Sequence, residues 1–560
     1  MEFWTCDFET TTNPNDCRVW AWCAVNIYDT TQIESGIYIN DFIKWLSKSN
    51  KTIYFHNLAF DGEFLMTHLF RSGFEHRRDN KKLGQKQFKT LISDDGLVYD
   101  IKIKFLSYST TVYDSLKIIP LKVEKIPSAF GLEQSKGEID YTKPRPIGYQ
   151  PDENEWDYIF HDCLIVAQAL YIMREQGLVK MTQASNALAD YKAMKGNDVF
   201  NNMFPQLNSE VDSFCRRAYK GGFVYLNPLH ADTEINGGSV YDVNSLYPAM
   251  MLKPLPYGLP QYFSGKYEAD EGFPLYIQGM ICNFEIKPGK LPTIQLKHTS
   301  RFSATEYLTS SEGDDVYLCL TNIDLTLFFE HYNVYDIEWL GGYKFRSYEH
   351  LFTDYIDKWS QVKIEAAKTG NMGMRQIAKL MLNSLYGKFG TNPLSGVKWP
   401  YYDQEQERIR YMTGEAEHRK SLYVPVAAFI TSYARETTIR AAQSCGNQFI
   451  YADTDSIHVT KYCNPPIEIH PTKLGAWKKE FVFSRGKYLH SKCYIELGHD
   501  PEKDDPDKLK ITVAGMPPGC YSQVTFDTFK YGQEFSGKLV TKRVSGGIVL
   551  LPTTYKIKIK

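Results

Sequence analysis

The chain has 560 residues, 43% of them hydrophobic and 14% aromatic, more than a single core usually takes, so several domains are expected. A formal net charge of −2 and a pI near 6.7 neither require nor exclude a nucleic-acid partner, because binding depends on local charge. Met1 to Asp7 lacks the basic region of a signal peptide, no stretch approaches the length of a membrane span, and the 11 cysteines lack a CxxC pair, which favours free thiols in a reducing compartment over a structural zinc site.

The first predicted strand, Phe3–Cys6, ends in Asp7–Phe8–Glu9 and Thr10, and Trp20–Tyr28 returns beside it. Strand periodicity puts Asp7 and Glu9 on one face, as a metal site or as a solvated strand end. A second strand, Thr52–Phe55, delivers His56–Asn57–Leu58–Ala59–Phe60–Asp61. A helix is predicted from Asp61 through Leu65, Met66, Leu69 and Phe70, with Asp61 either a ligand or its N-cap. Another is predicted over Asp157–Met173, where Tyr158 and Asp162 lie one turn apart on one face. Lys143–Pro151 reads as a rigid surface loop, and Leu178–Tyr191 as helical.

In Arg216–Arg217–Ala218–Tyr219–Lys220–Gly221–Gly222, basic residues and two glycines suggest a backbone that closely approaches something, a phosphate or its own turn. A strand then runs into Asp242, and a short helix begins near Ser245 in Asp242–Val243–Asn244–Ser245–Leu246–Tyr247–Pro248. A carboxylate beside the free N–H groups of a helix start suits a metal-bound triphosphate. The segment 254–350 has β-like runs at Tyr276–Gln278 and Met280–Cys282 and a helix-like run at Asp324–Phe329, where Asp324 is expected to pack. Helical stripes follow from Leu351 to Val362 and from Gln376 to Tyr386. Opposite the apolar Ile377, Leu380, Met381 and Leu385 lie Arg375, Lys379, Asn383 and Tyr386, a nucleotide-gripping surface or a solvated face. A hairpin is predicted within 391–420 and a helix over Pro425–Cys445. The hairpin at Tyr451–Ala452–Asp453–Thr454–Asp455–Ser456 brings two like charges together, which a divalent cation would relieve; an ordinary polar turn is the alternative. Lys492–Cys493–Tyr494 and a tail, Lys538–Lys560, with six basic residues and no acidic one complete the chain.

The DxE, HNxxFD and YxxxD motifs, in this order, resemble the three exonuclease motifs of family B DNA polymerases, and the longer match is to the protein-primed subgroup of the Bacillus phage phi-29 type. That resemblance covers nearly the whole chain. It implies an α/β multidomain fold: an RNase H-like 3′–5′ exonuclease domain (1–184), a palm (185–253 and 421–515), fingers (351–390) and a thumb (516–560). It further implies two insertions, 254–350 for a terminal protein and 391–420 for processivity and strand displacement. For degradation it assigns Asp7, Glu9, Asp61 and Asp162 to two metal ions, Tyr158 to the attacking water and Lys136 to the scissile phosphate. Thr10, His56, Asn57, Phe60, Ser115 and Leu116 would hold the frayed 3′ end.

For synthesis the resemblance makes Asp242 and Asp455, with the Val243 backbone, metal ligands, and keeps Asp453 close by. Tyr247 would exclude a 2′-hydroxyl; Lys363, Arg375 and Lys379 would neutralise the triphosphate; Asn383, Tyr386 and Gly387 would border the nascent pair. Tyr219, Gly221 and Gly222 would contact template and pass the primer between sites, and Lys492 and Tyr494 would hold the primer end. The implied cofactor is Mg²⁺, two ions per site, with Mn²⁺ as a substitute. The implied partners are template and primer DNA, dNTPs and a terminal protein. A monomer without a membrane partner, in the cytoplasm of an infected bacterial host, is expected. An oligonucleotide-primed family B polymerase and a catalytically silent DNA-binding protein are the alternatives.

Overall fold

The computed structural model describes residues 2–79, 81–295, 306–503 and 505–558; the last basic residue of the predicted tail, Lys560, lies outside them. In the N-terminal unit the strand Glu2–Thr10 pairs antiparallel with Val19–Asn26 and parallel with Lys51–Phe55, which continues in parallel into Ser109–Asp114. Alternation along Glu2–Thr10 divides its side chains between two layers. Trp4, Cys6 and Phe8 enter the core formed with Phe64, Leu65 and Leu69 of the helix Leu58–Arg71. Residues of the other face meet the helix Glu153–Glu175, where the Thr5 hydroxyl donates to the Cys163 carbonyl at 2.9 Å. Asp7 and Glu9 share that second face with Asp162.

Three helix boundaries differ from expectation. Asn57, with φ of +80°, precedes a helix that already begins at Leu58, so Asp61 is inside it and is not its N-cap. The Asp114 carboxylate accepts from Asn57 N–H at 3.0 Å and so holds this left-handed turn. The helix expected from Leu178 starts at Gln183, behind a Thr182 side chain that accepts from Ser185 N–H. Asp152 and Glu155 form a capping box that starts the helix Glu153–Glu175 four residues before the predicted Asp157.

A second sheet carries Gly238–Val243 at its centre, flanked by Ser456–Thr460 and by Trp477–His490. The helix Val424–Ser444, buried on nearly every side, lies against this sheet. The helices Thr353–Lys368 and Met372–Phe389 pack as a pair. In 254–350 the two predicted β-runs are one strand, Leu275–Ile286, within a four-stranded sheet.

Two hairpins complete the described chain: Lys398–Asp403 with Arg408–Thr413, and Glu534–Val544 with Gly547–Lys556. The latter docks on the N-terminal unit, where a Cβ at Gly547 would lie 2.6 Å from Phe64 Cδ1. All 11 cysteines are free thiols. Among the described residues no helix is long and apolar enough to cross a membrane.

Candidate active sites

The first site is a cleft of about 870 Å³ lined by Asp7, Glu9, Asp61, Asp162, Tyr158 and Lys136. Burial and the Asp162 charge push the Asp7 carboxyl up to about 7. Burial also drives Glu9 and Asp61 well above the carboxylate range, and Asp7 adds to both shifts. Lys136 Nζ donates to Asp162 Oδ2 at 2.6 Å and lies 5.2 Å from the centre of the Tyr158 ring. Burial would lower the Lys136 ammonium, yet Asp162 holds it above its ordinary value. The Tyr158 and Tyr141 hydroxyls are 3.2 Å apart. Carboxylates that raise one another in this way form a hard oxygen donor set suited to Mg²⁺ or Mn²⁺.

Thr10, His56, Asn57 and Phe60 also line this cleft. Ser115 does not reach it: its fully buried hydroxyl donates to the Phe55 carbonyl at 2.9 Å and lies 3.0 Å from His56 Nδ1. Leu116 donates its N–H to the same Asp114 oxygen that fixes Asn57. Ser115 and Leu116 are thus tied to His56 and to the Asn57 turn beside the cleft. One wall was not foreseen: Leu539, Leu550 and Pro552 of the C-terminal hairpin line it.

The second site lies where three strands of the central sheet end together. Asp242 is opposite Ser456 on one side and Lys478 on the other, and Val243 N–H donates to the Asp455 carbonyl at 2.8 Å. Thr454, with φ of +62°, turns the chain between Asp453 and Asp455. Asp242 is pushed up to about 8 by burial, then by Asp455 and by Glu480. Asp455 is raised by burial, with Asp453 and Glu480 contributing. Asp453 differs, because Lys492 Nζ grips both its oxygens at 2.8 and 2.7 Å. Asp242 and Asp455 thus keep the charge problem that a cation would solve, while Asp453 is already neutralised. Glu480 was missed because the ladder slips between Val240 and Tyr241, whose partners are Phe481 and Lys479; Glu480 is the extra residue of that bulge.

Around these carboxylates, Tyr247 and Tyr386 stack with ring centroids 4.1 Å apart. Arg375, Lys379 and Asn383 are exposed on the helix Met372–Phe389, as is Gly387. Burial, then the Lys379 and Arg375 charges, lower the Lys363 ammonium, so the three cations form one cluster. Tyr219 packs against Gly390, and a Cβ on Gly222 would lie 2.8 Å from the Thr454 methyl. The close approach expected of this loop is therefore to the turn between Asp453 and Asp455. Tyr494, on the strand that follows the turn at Lys492, is only 6% exposed and packs among Tyr451, His458 and Tyr488.

Among the described residues, no three His, Cys, Asp or Glu side chains stand in an arrangement ready to hold an ion. In both clusters an ammonium, Lys136 or Lys492, occupies one carboxylate.

A family profile described as DNA polymerase type B, organellar and viral, matches residues 44–149 and 140–474. The DNA polymerase of Bacillus phage phi29 is 43% identical over 100% of this chain and 99% of its own length. Phi29 DNA polymerase solved with primer-template DNA and incoming nucleotide substrates superposes with a TM-score of 0.93 at 42% identity, covering 100% of both chains. The same polymerase solved with single-stranded DNA gives 0.93 at 41%, again over 100% of both. On this fold, these carboxylates and this full-length similarity, the chain belongs to the organellar and viral type B DNA polymerases and is a DNA-directed DNA polymerase.

Proposed function

We propose that the chain is a protein-primed replicative polymerase that proofreads and displaces the downstream strand, with synthesis and degradation at separate carboxylate sites. The observation that carries this reading is the pair of buried acid clusters on two different sheets. The likeness to a polymerase solved both with primer-template and with single-stranded DNA supports it.

In this reading 1–184 is an RNase H-like exonuclease domain. Residues 185–253 and 421–515 are the palm, 351–390 the fingers and 516–560 the thumb. Residues 254–350 receive the terminal protein, and 391–420 close around DNA. Asp242, Asp455 and the Val243 backbone would hold the metals of synthesis, and Asp7, Glu9, Asp61 and Asp162 those of degradation. Mg²⁺ or Mn²⁺ bound there would polarise the phosphate and lower the pKa of the attacking hydroxyl or water.

The chain's own groups do the rest. Lys363, Arg375 and Lys379 bind the triphosphate and offset its charge, while Tyr247 and Tyr386 wall the sugar and base. Lys492 bridges Asp453 and the primer end, and Tyr219 to Gly222 hold template. Tyr158 orients the water that attacks an unpaired end, and Lys136 meets the scissile phosphate. The enzyme acts as a monomer in the host cytoplasm. Incubation with the four labelled dNTPs, Mg²⁺, an oligonucleotide-primed template and the cognate terminal protein tests priming. Covalent label on that protein is expected; label found only on oligonucleotide primers would contradict protein priming.

A further inference from the structure

The segment 75–89 carries six cations, Arg77, Arg78, Lys81, Lys82, Lys86 and Lys89, against two carboxylates, Glu75 and Asp79, an excess of four in a chain of net charge −2. Both carboxylates are already engaged. Arg77 Nη2 donates to Asp79 Oδ2 at 2.6 Å, and Gln87 Nε2 donates to Glu75 Oε2 at 2.8 Å. Glu75–His76 is the outermost strand of the eight-stranded N-terminal sheet, paired in parallel with Gln87–Ile92. The loop between them is closed at its base, where Glu75 N–H donates to the Lys86 carbonyl at 3.0 Å and Arg77 N–H to the Phe88 carbonyl at 2.8 Å. Arg78, Lys81, Lys82 and Lys86 are exposed, and none of them lines the cleft of the N-terminal unit.

This loop stands beside the hairpin 398–413. Past Ile92, Ser93 bridges to Val397, and Asp94 N–H donates to the Gly396 carbonyl at 3.2 Å. The Arg78 guanidinium lies 5.7 Å from the centre of the Trp399 ring. Asp403, Glu405 and Glu407 sit toward the hairpin's turn, away from Trp399, while Glu415 and Glu417 beyond its open end are followed by Arg419 and Lys420. Charges on an edge strand guard a sheet against extension, but these cations lie in the loop beyond a two-residue strand. Exposed ammonium groups beside a guanidinium on an aromatic face suit a single strand of nucleic acid, the ammoniums meeting phosphates and the flat groups meeting bases.

We propose that the 77–86 loop, with Trp399, binds the single strand that the polymerase peels from the template ahead of it. With 391–420 closed around the retained strand, the displaced one leaves along the hairpin, and the loop is the positive surface beside it. Held there, it does not re-anneal. This rests on the strand displacement assigned to the polymerase.

Fluorescence anisotropy in chelator, where nothing is degraded, tests it on three DNAs: primer-template alone, the same with a downstream duplex, and that duplex with an unpaired 5′ oligo-dT flap on the strand to be displaced. The flap is expected to tighten the parent's Kd about tenfold at low salt. Lys81→Gln, Lys82→Gln and Lys86→Gln together should remove that gain and lower the slope of log Kd against log salt by about 2, at about 0.7 per cation. Lys81→Arg, Lys82→Arg and Lys86→Arg together should keep it. The Gln variant should melt like the parent, copy single-stranded template and degrade single strands at parental rates, and slow severalfold only on nicked duplex. A flap gain that survives in the Gln variant would overturn the proposal. So would an equal loss of affinity for the duplex without a flap, which would make this a duplex-binding surface. A parent that halts at the downstream duplex removes strand displacement and the proposal with it; a parent that passes through it yet ignores the flap removes the surface alone.

Discussion

The rings of Tyr247 and Tyr386 lie face to face, 16° from parallel, joining the segment after Asp242 to the helix that carries Lys379. The pair makes a rigid wall close enough to Asp455 for both hydroxyls to feel its charge. Replacing Tyr247 with Val opens the space expected to exclude a 2′-hydroxyl. Ribonucleotide incorporation relative to deoxynucleotide should rise by roughly 10- to 200-fold, the range for a steric pocket contact. Competition between rATP and dATP measures it.

Lys136 serves the cleft of the N-terminal unit. Lys136→Ala removes the ammonium 2.6 Å from Asp162 and should slow degradation of single strands by about 10²-fold, as loss of one electrostatic stabiliser does. Extension of a matched primer should be unaffected. Single-turnover rates of the two reactions check this.

The Glu63 carboxylate, 2% exposed, accepts from the Tyr411 hydroxyl at 2.8 Å and from Arg543 Nε at 2.7 Å. It thereby ties the N-terminal unit to both hairpins, at 398–413 and 534–556. Glu63→Ala should shorten the product made per binding event severalfold, read on a long template with a DNA trap. Insertion of a single nucleotide should change less than about twofold, because the clasp makes no contact with the reacting groups.

Much of both sites was legible because strand and helix periods are local. Asp7 with Glu9, and Tyr158 with Asp162, needed only periods of 2 and 3.6. What was hidden depends on long-range register. Glu480 comes beside Asp242 only through a bulge, the Arg435–Asp324 pair spans 111 residues, and the C-terminal hairpin reaches the first cleft only by docking on Phe64. The burial of Ser115 and Tyr494 was likewise not legible in their residue types.

The acid clusters also set a pH dependence in chelator. Asp242, raised from the ordinary 3.8 to about 8, holds its proton in the folded protein at pH values where the unfolded chain has lost it. The folded state binds more protons in that window, so stability falls as pH rises through it. Asp242→Asn removes the penalty and should raise the metal-free melting temperature at pH 8 by on the order of 2 °C. Added Mg²⁺ should stabilise the parent more than this variant, as melting curves with and without chelator will show.

The separation of synthesis from degradation is tested most directly by Asp455→Ala, measured in Mg²⁺ with dNTPs on a primed template and, in parallel, on single-stranded oligonucleotide alone. Extension should vanish while degradation continues at the parental rate. Persisting extension, or degradation lost along with it, would contradict two independent carboxylate sites.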